Sequence, residues 1–257
     1  MIHAIFSFLT IRRREAEWID QPDADPVLLR KSLAYIRRIN TFLGYTRATL
    51  AHLEEFSRDW KSAETIRIVD LATGSADIPR AILRWAARRG FDVRVVGVDL
   101  HPRIAMVAAR ENPDPRLNIV RADVLELPFA DGSFDYAITN MFLHHLDEQQ
   151  VVRVLQEMDR VASRGIIAAD LVRTRRAYAW IVLFTLWANP MVKHDARASV
   201  AQAFTRREVL ALRDRAGLQW AEYRRHFGHR FVLAGRKPRR IDVVGKMIEA
   251  EPSIVGE

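Results

Sequence analysis

The sequence predicts an α/β protein with a doubly wound sheet of seven strands, the last of them antiparallel to its neighbours. From residue 66 onward, short apolar runs alternate with amphipathic helical patterns, which is typical of a parallel sheet covered by helices on both faces. Four of these runs end in polar or acidic residues at one edge of the predicted sheet. Two further runs near the end of the chain are separated by only four residues, so they form an antiparallel hairpin.

Composition limits the class of protein. The chain has 257 residues, 49% hydrophobic and 28% charged, which is enough apolar material for one sizeable core. This excludes intrinsic disorder. Because the chain holds no cysteine, disulfides, thiolate metal clusters and cysteine nucleophiles are excluded as well.

The net charge of +8 is concentrated near the end of the chain. Residues 223–241 hold seven arginines or lysines and no acid, leaving 33 of the 40 bases against 32 acids elsewhere. A local cationic run of this kind is more typical of a solvated strand pair than of a nucleic-acid surface.

The chain shows neither an export pattern nor a membrane span. The apolar opening, residues 1–11, runs directly into three arginines, the reverse of a secretory signal. The longest uncharged stretch, residues 177–192, falls short of the roughly 20 residues that a span needs. We therefore expect a cytoplasmic protein. An alternative is peripheral contact of the opening segment with a bilayer through Phe6, Phe8 and Leu9.

Residues 25–60 predict two helices and no strand. Asp25 is the expected cap of the first, with Pro26 in its first turn and Gly44 at its end. We interpret residues 1–62 as a helical segment that forms a lid or a dimer contact, residues 63–240 as the α/β domain, and residues 241–257 as a tail.

The α/β pattern begins at residue 66. Asp77 is expected to cap the helix after the first strand, and Gly165 is expected to open the fifth. A cap insertion at about residues 173–203 holds an apolar stretch followed by a polar turn at residues 193–197. Thr205 and Glu208 then form a capping box for the last helix. The predicted strands are residues 66–71, 93–98, 117–120, 134–139, 166–169, 219–225 and 230–234.

Polar residues follow four consecutive strands. The first strand runs through the small-residue loop 70–77 into a helix, which lets backbone amides approach a ligand at the mouth of the sheet. The second ends at Asp99, whose carboxylate suits the two hydroxyls of a ribose. Asp123 follows the third strand and suits an adenine amino group. Asn140 ends the fourth.

The loop and this rim resemble the class I S-adenosylmethionine-dependent methyltransferases over residues 66–170 and the closing hairpin. The resemblance implies a Rossmann-like fold, S-adenosylmethionine as cofactor and S-adenosylhomocysteine as product. It assigns the methionine end to the loop, the ribose to the end of the second strand and the adenine to the end of the third. The cofactor residues implied are Asp70, Ala72, Thr73, Gly74, Asp77, Asp99, Leu100, Asp123, Val124 and Asn140.

Within this class the chain is similar to the quinone-type C-methyltransferases of ubiquinone and menaquinone synthesis. Asp-Leu-Ala at 70–72, Leu-Pro-Phe at 127–129 and Asp-Gly-Ser-Phe-Asp at 131–135 carry the similarity. Two segments depart from it. Ala76 stands where that group has glycine, and residues 140–146 replace its Gly-x-Arg-Asn segment. We therefore expect a small aromatic or lipophilic acceptor, with oxygen favoured over carbon as the methylated atom.

Methyl transfer to a phenol or acid also needs a group that removes a proton, and histidine suits that role near neutral pH. The candidates are His144 and His145, directly after the fourth strand, and His194 in the insertion. We expect no metal site, because no second carboxylate at metal-ligand spacing follows Asp170.

Other functions stay open at this stage. The basic hairpin suits a nucleic-acid methyltransferase, although neither a Pro-Pro-aromatic signature nor an RNA-binding motif accompanies it. A non-enzymatic cofactor-binding or membrane-surface scaffold is a further alternative. A nicotinamide-dependent dehydrogenase is weaker, because the usual glycines are missing. The oligomeric state is open.

Overall fold

The computed structural model describes residues 44–238 and, ahead of them, residues 9, 11–15, 17–18, 27, 31–32 and 34–35. Most of the predicted first helix and the whole tail, residues 241–257, lie outside the described residues. Within that helix, Val27, Lys31, Ser32, Ala34 and Tyr35 are helical.

The described continuous segment alternates helices and strands as the sequence predicts. The helices are α1 (Tyr45–Phe56), α2 (Asp77–Arg89), α3 (Pro102–Glu111), α4 (Glu148–Val161), α5 (Arg175–Phe184), α6 (Pro190–Gln202) and α7 (Arg206–Arg215). The strands are β1 (Thr65–Leu71), β2 (Asp92–Asp99), β3 (Leu117–Arg121), β4 (Phe134–Asn140), β5 (Ala162–Leu171), β6 (Glu222–His226) and β7 (Arg230–Arg236).

The seven strands form one sheet in the order β3-β2-β1-β4-β5-β7-β6. The first five are parallel, while β7 pairs antiparallel with both β5 and β6. The predicted doubly wound sheet with an antiparallel last strand is thus confirmed. The closing hairpin places the last strand inside the sheet and β6 at its edge.

The alternation of apolar residues along the strands fills a core on each face. In β1, Ile66 and Ile68 pack against α1 and α2, whereas Val69 and Leu71 pack on the other face, against α4 and α7. Such a strand, apolar on both sides, is stable only when helices cover both faces. The carboxyl ends of the central strands are therefore the open edge of the molecule.

Three local predictions were wrong. Asp77 is the first residue of α2, and the cap position is Ala76 in the left-handed conformation, φ 56°. Gly165 lies inside β5, where a Cβ atom would come within 2.4 Å of the Gly235 carbonyl oxygen of β7. The predicted polar turn at 193–197 is helical and belongs to α6, because Asn189 caps that helix through a 2.9 Å bond to the Val192 amide.

Candidate active site

One large cavity opens at the carboxyl edge of the sheet, with a volume of about 1120 Å³. It brings together all the residues that the resemblance assigned to the cofactor and two of the three candidate histidines. From the sequence-based set it is lined by Asp70, Ala72, Thr73, Gly74, Asp77, Asp99, Leu100, Asp123, Val124, Asn140, His144 and His145. His194 is not among the described lining residues.

The loop after β1 is held open by its backbone conformation. Ala72, Gly74 and Ala76 all have positive φ, near 55°. Non-glycine residues enter this region at a cost, and such residues cluster at binding sites. Ala76, the position where the quinone-type group has glycine, is therefore one that demands a left-handed backbone. A Cβ on Gly74 would meet no atom within 4 Å, so the space beside the loop is open.

The acidic rim is fixed by backbone amides. The two carboxylate oxygens of Asp99 accept from the Gly74 amide at 3.0 Å and from the His101 amide at 2.9 Å. Asp123 accepts from the Leu125 amide at 2.9 Å. A carboxylate has about four acceptor sites, so both side chains are of a type that suits the hydroxyl or amino groups of a ligand.

Asn140 holds a donor that the described residues leave unused. Its Oδ1 accepts from the Thr49 hydroxyl at 2.6 Å, while its buried Nδ2 has no hydrogen-bond partner in the described part of the chain. A buried amide donor without a partner is costly. Because Asn140 lines the cavity, a bound ligand is the natural acceptor for that group.

Asp70 lies at the floor of the cavity. Burial raises the pKa of Asp70 to about 8, against the opposing effect of a 2.7 Å hydrogen bond that the Thr73 hydroxyl donates to it. The nearby charges of Asp77 and Asp99 raise the pKa further. The carboxyl group is thus largely protonated at neutral pH until a positive group arrives.

His144 lies between two carboxylates. Its Nδ1 is 2.7 Å from Asp170, and its Nε2 is 3.6 Å from Glu17, with all three side chains buried. Burial alone lowers the pKa of His144, but the charge and hydrogen bond of Asp170, together with Glu17, outweigh it and raise the pKa to about 10. An imidazolium at neutral pH cannot accept a proton, so the structure opposes His144 as the base.

The same cluster is the group best placed to hold a metal ion among the described residues. Ligand atoms of Glu17, His144 and His145 lie within 4.8 Å of one another. A proton on His144 offsets one of the two carboxylates on either side, and the Ser199 hydroxyl donates to Glu17 at 2.5 Å.

The other two histidines differ in position. His145 is half-buried and lines the cavity, with its ring 6.2 Å from that of Phe142. His194 instead stacks on Trp18 at 4.4 Å and contacts Glu15 and Asp195. Burial lowers the pKa of His194, but the hydrogen bonds that it donates to Asp195 and Glu15 raise it overall. Of the three candidates, His145 is the one whose position suits a base.

The remaining wall of the cavity is apolar and aromatic. Trp180, Ile181 and Phe184 of α5 and Val200 of α6 line it. Tyr45 and Arg230 close its inner side, with the buried guanidinium of Arg230 3.3 Å from the centre of the Tyr45 ring. Sequence reasoning missed Glu17, Tyr45 and Arg230. The sequence shows that Arg230 lies in a segment without acids, residues 223–241, but this pattern does not predict that its side chain is buried.

The fold is that of the class I S-adenosylmethionine-dependent methyltransferases. A family model described as Methyltransferase domain matches residues 69–169. A SAM-dependent methyltransferase from Aquifex aeolicus has the same fold, with a TM-score of 0.50 and 16% identity over 71% of this chain and 88% of that one. S-adenosylmethionine is the cofactor of this class.

Two curated relatives are more specific. A 2-phytyl-1,4-naphtoquinone methyltransferase of Nostoc punctiforme is 35% identical over 46% of this chain, and the match spans about half (51%) of that protein. A demethylmenaquinone methyltransferase of Porphyromonas gingivalis is 29% identical over 61% of this chain and 69% of that one. Among the described residues, no helix has the length and apolar character to cross a bilayer.

Proposed function

We propose that this chain transfers a methyl group from S-adenosylmethionine to the hydroxyl oxygen of a lipophilic aromatic acceptor of the phenol or quinol type. One observation carries the proposal: a single cavity joins an acidic rim to an apolar, aromatic wall. Its volume of about 1120 Å³ exceeds the roughly 300–1,000 Å³ of a pocket for one small molecule. The quinone acceptors in the names of the relatives support the acceptor class.

The residues present fit the cofactor. The unused Nδ2 donor of Asn140 and the open space beside Gly74 favour a polar ligand in this half of the cavity. Asp70 and the loop that follows hold the methionine end, where a positive amino group favours the charged form of Asp70. Asp99, with Leu100, takes the ribose hydroxyls, and Asp123, with Val124, takes the adenine.

The chain's own groups orient the acceptor and remove its proton. When bound, the cofactor would supply an electrophilic methyl carbon for the acceptor oxygen, with S-adenosylhomocysteine as the leaving group. His145 takes the proton of the acceptor hydroxyl, since a neutral imidazole is the side chain best suited to that role near pH 7. His144 stays charged and holds the turn after β4 in place through Asp170. The aromatic wall packs against the acceptor ring and excludes water.

The test begins with calorimetry using S-adenosylhomocysteine, followed by a screen of phenols, quinols and fatty acids with labelled methyl donor. We expect His145→Gln to lower kcat by about 10²–10⁴-fold while leaving S-adenosylhomocysteine affinity within about threefold. His194→Gln is the matched control and is expected to retain turnover. Binding of S-adenosylhomocysteine without any turnover would instead support the scaffold alternative. A product methylated on a ring carbon would show that carbon, and not oxygen, is the methylated atom.

The basic hairpin gives little support to the nucleic-acid alternative. Arg224 pairs with Glu55 and Glu222, and Lys237 pairs with Asp159. Arg236 pairs with Asp59, and Arg230 is buried in the cavity wall. Cations that are already paired or buried contribute little to phosphate binding.

A further inference from the structure

The molecule exposes large apolar side chains beside the cavity. Leu183 of α5 is 58% exposed, Trp187 in the turn after α5 is 89% exposed, and Phe227 in the β6–β7 turn is 79% exposed. We call this surface the α5 face, and it consists of Trp180, Leu183, Phe184, Leu186, Trp187 and Phe227, all of them exposed. Apolar patches of this kind mark sites of protein or membrane contact.

The α5 face is continuous with the acceptor half of the cavity. Trp180 and Phe184 are both exposed and both line the cavity. His229, which follows Phe227 in the β6–β7 turn, lines it too, and its ring lies 6.1 Å from that of Trp180. The α5 face and the acceptor half of the cavity therefore share the side chains of Trp180 and Phe184.

Cations surround the α5 face. Residues 171–194 contain no acid but include Arg175 and Arg176, which are exposed at the start of α5. Residues 223–237, which include the β6–β7 turn, also contain no acid, and Arg225 among them is exposed. Arginines of both segments lie near His229. Burial lowers the pKa of His229, and the charges of Arg225 and Arg176 lower it further.

We propose that the α5 face docks on the surface of an anionic lipid bilayer and admits the acceptor directly from the lipid. At 10 residues α5 is too short to cross a bilayer, so it lies in the interface, where tryptophan is the preferred aromatic residue. Arg175, Arg176 and Arg225 then face lipid phosphates. Docking itself needs no methyl transfer; only the identity of the entering molecule rests on the proposed function.

The test is co-sedimentation of the full chain with vesicles of phosphatidylcholine and phosphatidylglycerol, compared with vesicles of phosphatidylcholine alone. We expect binding to the anionic vesicles, and a double variant, Trp187→Ala with Phe227→Ala, to bind them at least about tenfold more weakly. Arg175→Gln with Arg176→Gln is expected to lose a similar factor and most of the dependence on anionic lipid. Brominated lipid is expected to quench tryptophan emission in the wild type, and less in Trp187→Phe.

Met106→Ala is the matched control, because Met106 is an exposed apolar residue of α3, which packs on β2 and β3 at the opposite edge of the sheet. Its vesicle binding should equal that of the wild type. All these variants should bind S-adenosylhomocysteine normally, which separates failed docking from a failed cofactor site. The proposal is overturned if the wild type stays in the supernatant, or if Trp187→Ala with Phe227→Ala instead dissociates a dimer of this chain in sedimentation velocity.

Discussion

Asp70 makes the unfolding free energy depend on pH. Its pKa is about 8 in the folded chain and near 4 when unfolded, so the folded state binds the extra proton between these values. The contribution of Asp70 to stability is therefore most favourable below about pH 4 and is lost as the pH rises toward 8. We expect Asp70→Asn, which keeps an acceptor for Thr73, to remove on the order of 1 kcal/mol per pH unit of this slope between pH 5 and 7. Urea unfolding of both proteins across that range measures the difference, and parallel curves would contradict the prediction.

The pair of His144 and Asp170 also makes stability fall as the pH rises. Here the protonated form, an imidazolium, carries the charge, whereas protonated Asp70 is neutral. The pKa of His144 is raised to about 10, so its contribution is complete below the unfolded value of about 6.5 and is lost as the pH rises toward 10. We expect Asp170→Asn to cost about 3–5 kcal/mol at pH 6, because a buried imidazolium loses its closest partner. A double-mutant cycle with His144→Gln, repeated at pH 10, should show the coupling shrink.

The residues of the rim were predictable from the sequence, while those that close the cavity were not. Asp70, Asp99, Asp123 and Asn140 each lie at or next to the carboxyl end of a strand, and the ends of parallel strands meet at one edge. Glu17 lies more than 100 residues along the chain from His144, which it approaches. Arg230 lies more than 100 residues from Tyr45, which it contacts. No local pattern records such a contact.

Among the elements, β2 supports the site through the absence of a side chain. A Cβ atom on Gly97 would lie 2.9 Å from both the Thr73 hydroxyl and the Ile119 side chain. We expect Gly97→Ala to displace Thr73 from Asp70, to cost about 1–3 kcal/mol and to weaken S-adenosylhomocysteine binding. Thermal unfolding and calorimetry measure the two effects. Gly132→Ala is a useful comparison, because its nearest contact is an ordinary 3.8 Å and any cost there comes from backbone conformation alone.

Element types were easier to predict than element limits. The capping boxes of α4 and α7 are local, and the one at Thr205 was read from the sequence and confirmed. The polar residues 193–197 belong to α6 because tertiary packing buries Asp195 and neighbouring small residues, which outweighs their weak helical pattern. β5 extends beyond its apolar run because β4 and β7 pair along its length.

At the scale of the molecule, Arg12 ties the N-terminal segment to the cavity wall. Its guanidinium donates to the carbonyl oxygens of His144, Leu146 and Gln202, and lies 3.8 Å from the centre of the Phe204 ring. We expect Arg12→Met to lower the free energy of unfolding by about 2–4 kcal/mol and Tm by about 5–10 °C, since three carbonyls lose a charged donor. Arg14→Met is the control, because its ion pair with Asp147 is exposed and contributes less than about 1 kcal/mol.

The position of β7 has a consequence for synthesis on the ribosome. Until residues 230–236 have left the exit tunnel, β5 has only one neighbour, β4, and presents a bare, strongly apolar border to the cell. During that interval the backbone of Ile166, Ile167 and Ala168 is open to pairing with other polypeptides. A premature stop before Arg230 would leave this edge of β5 unpaired permanently, and we expect the shortened product to aggregate.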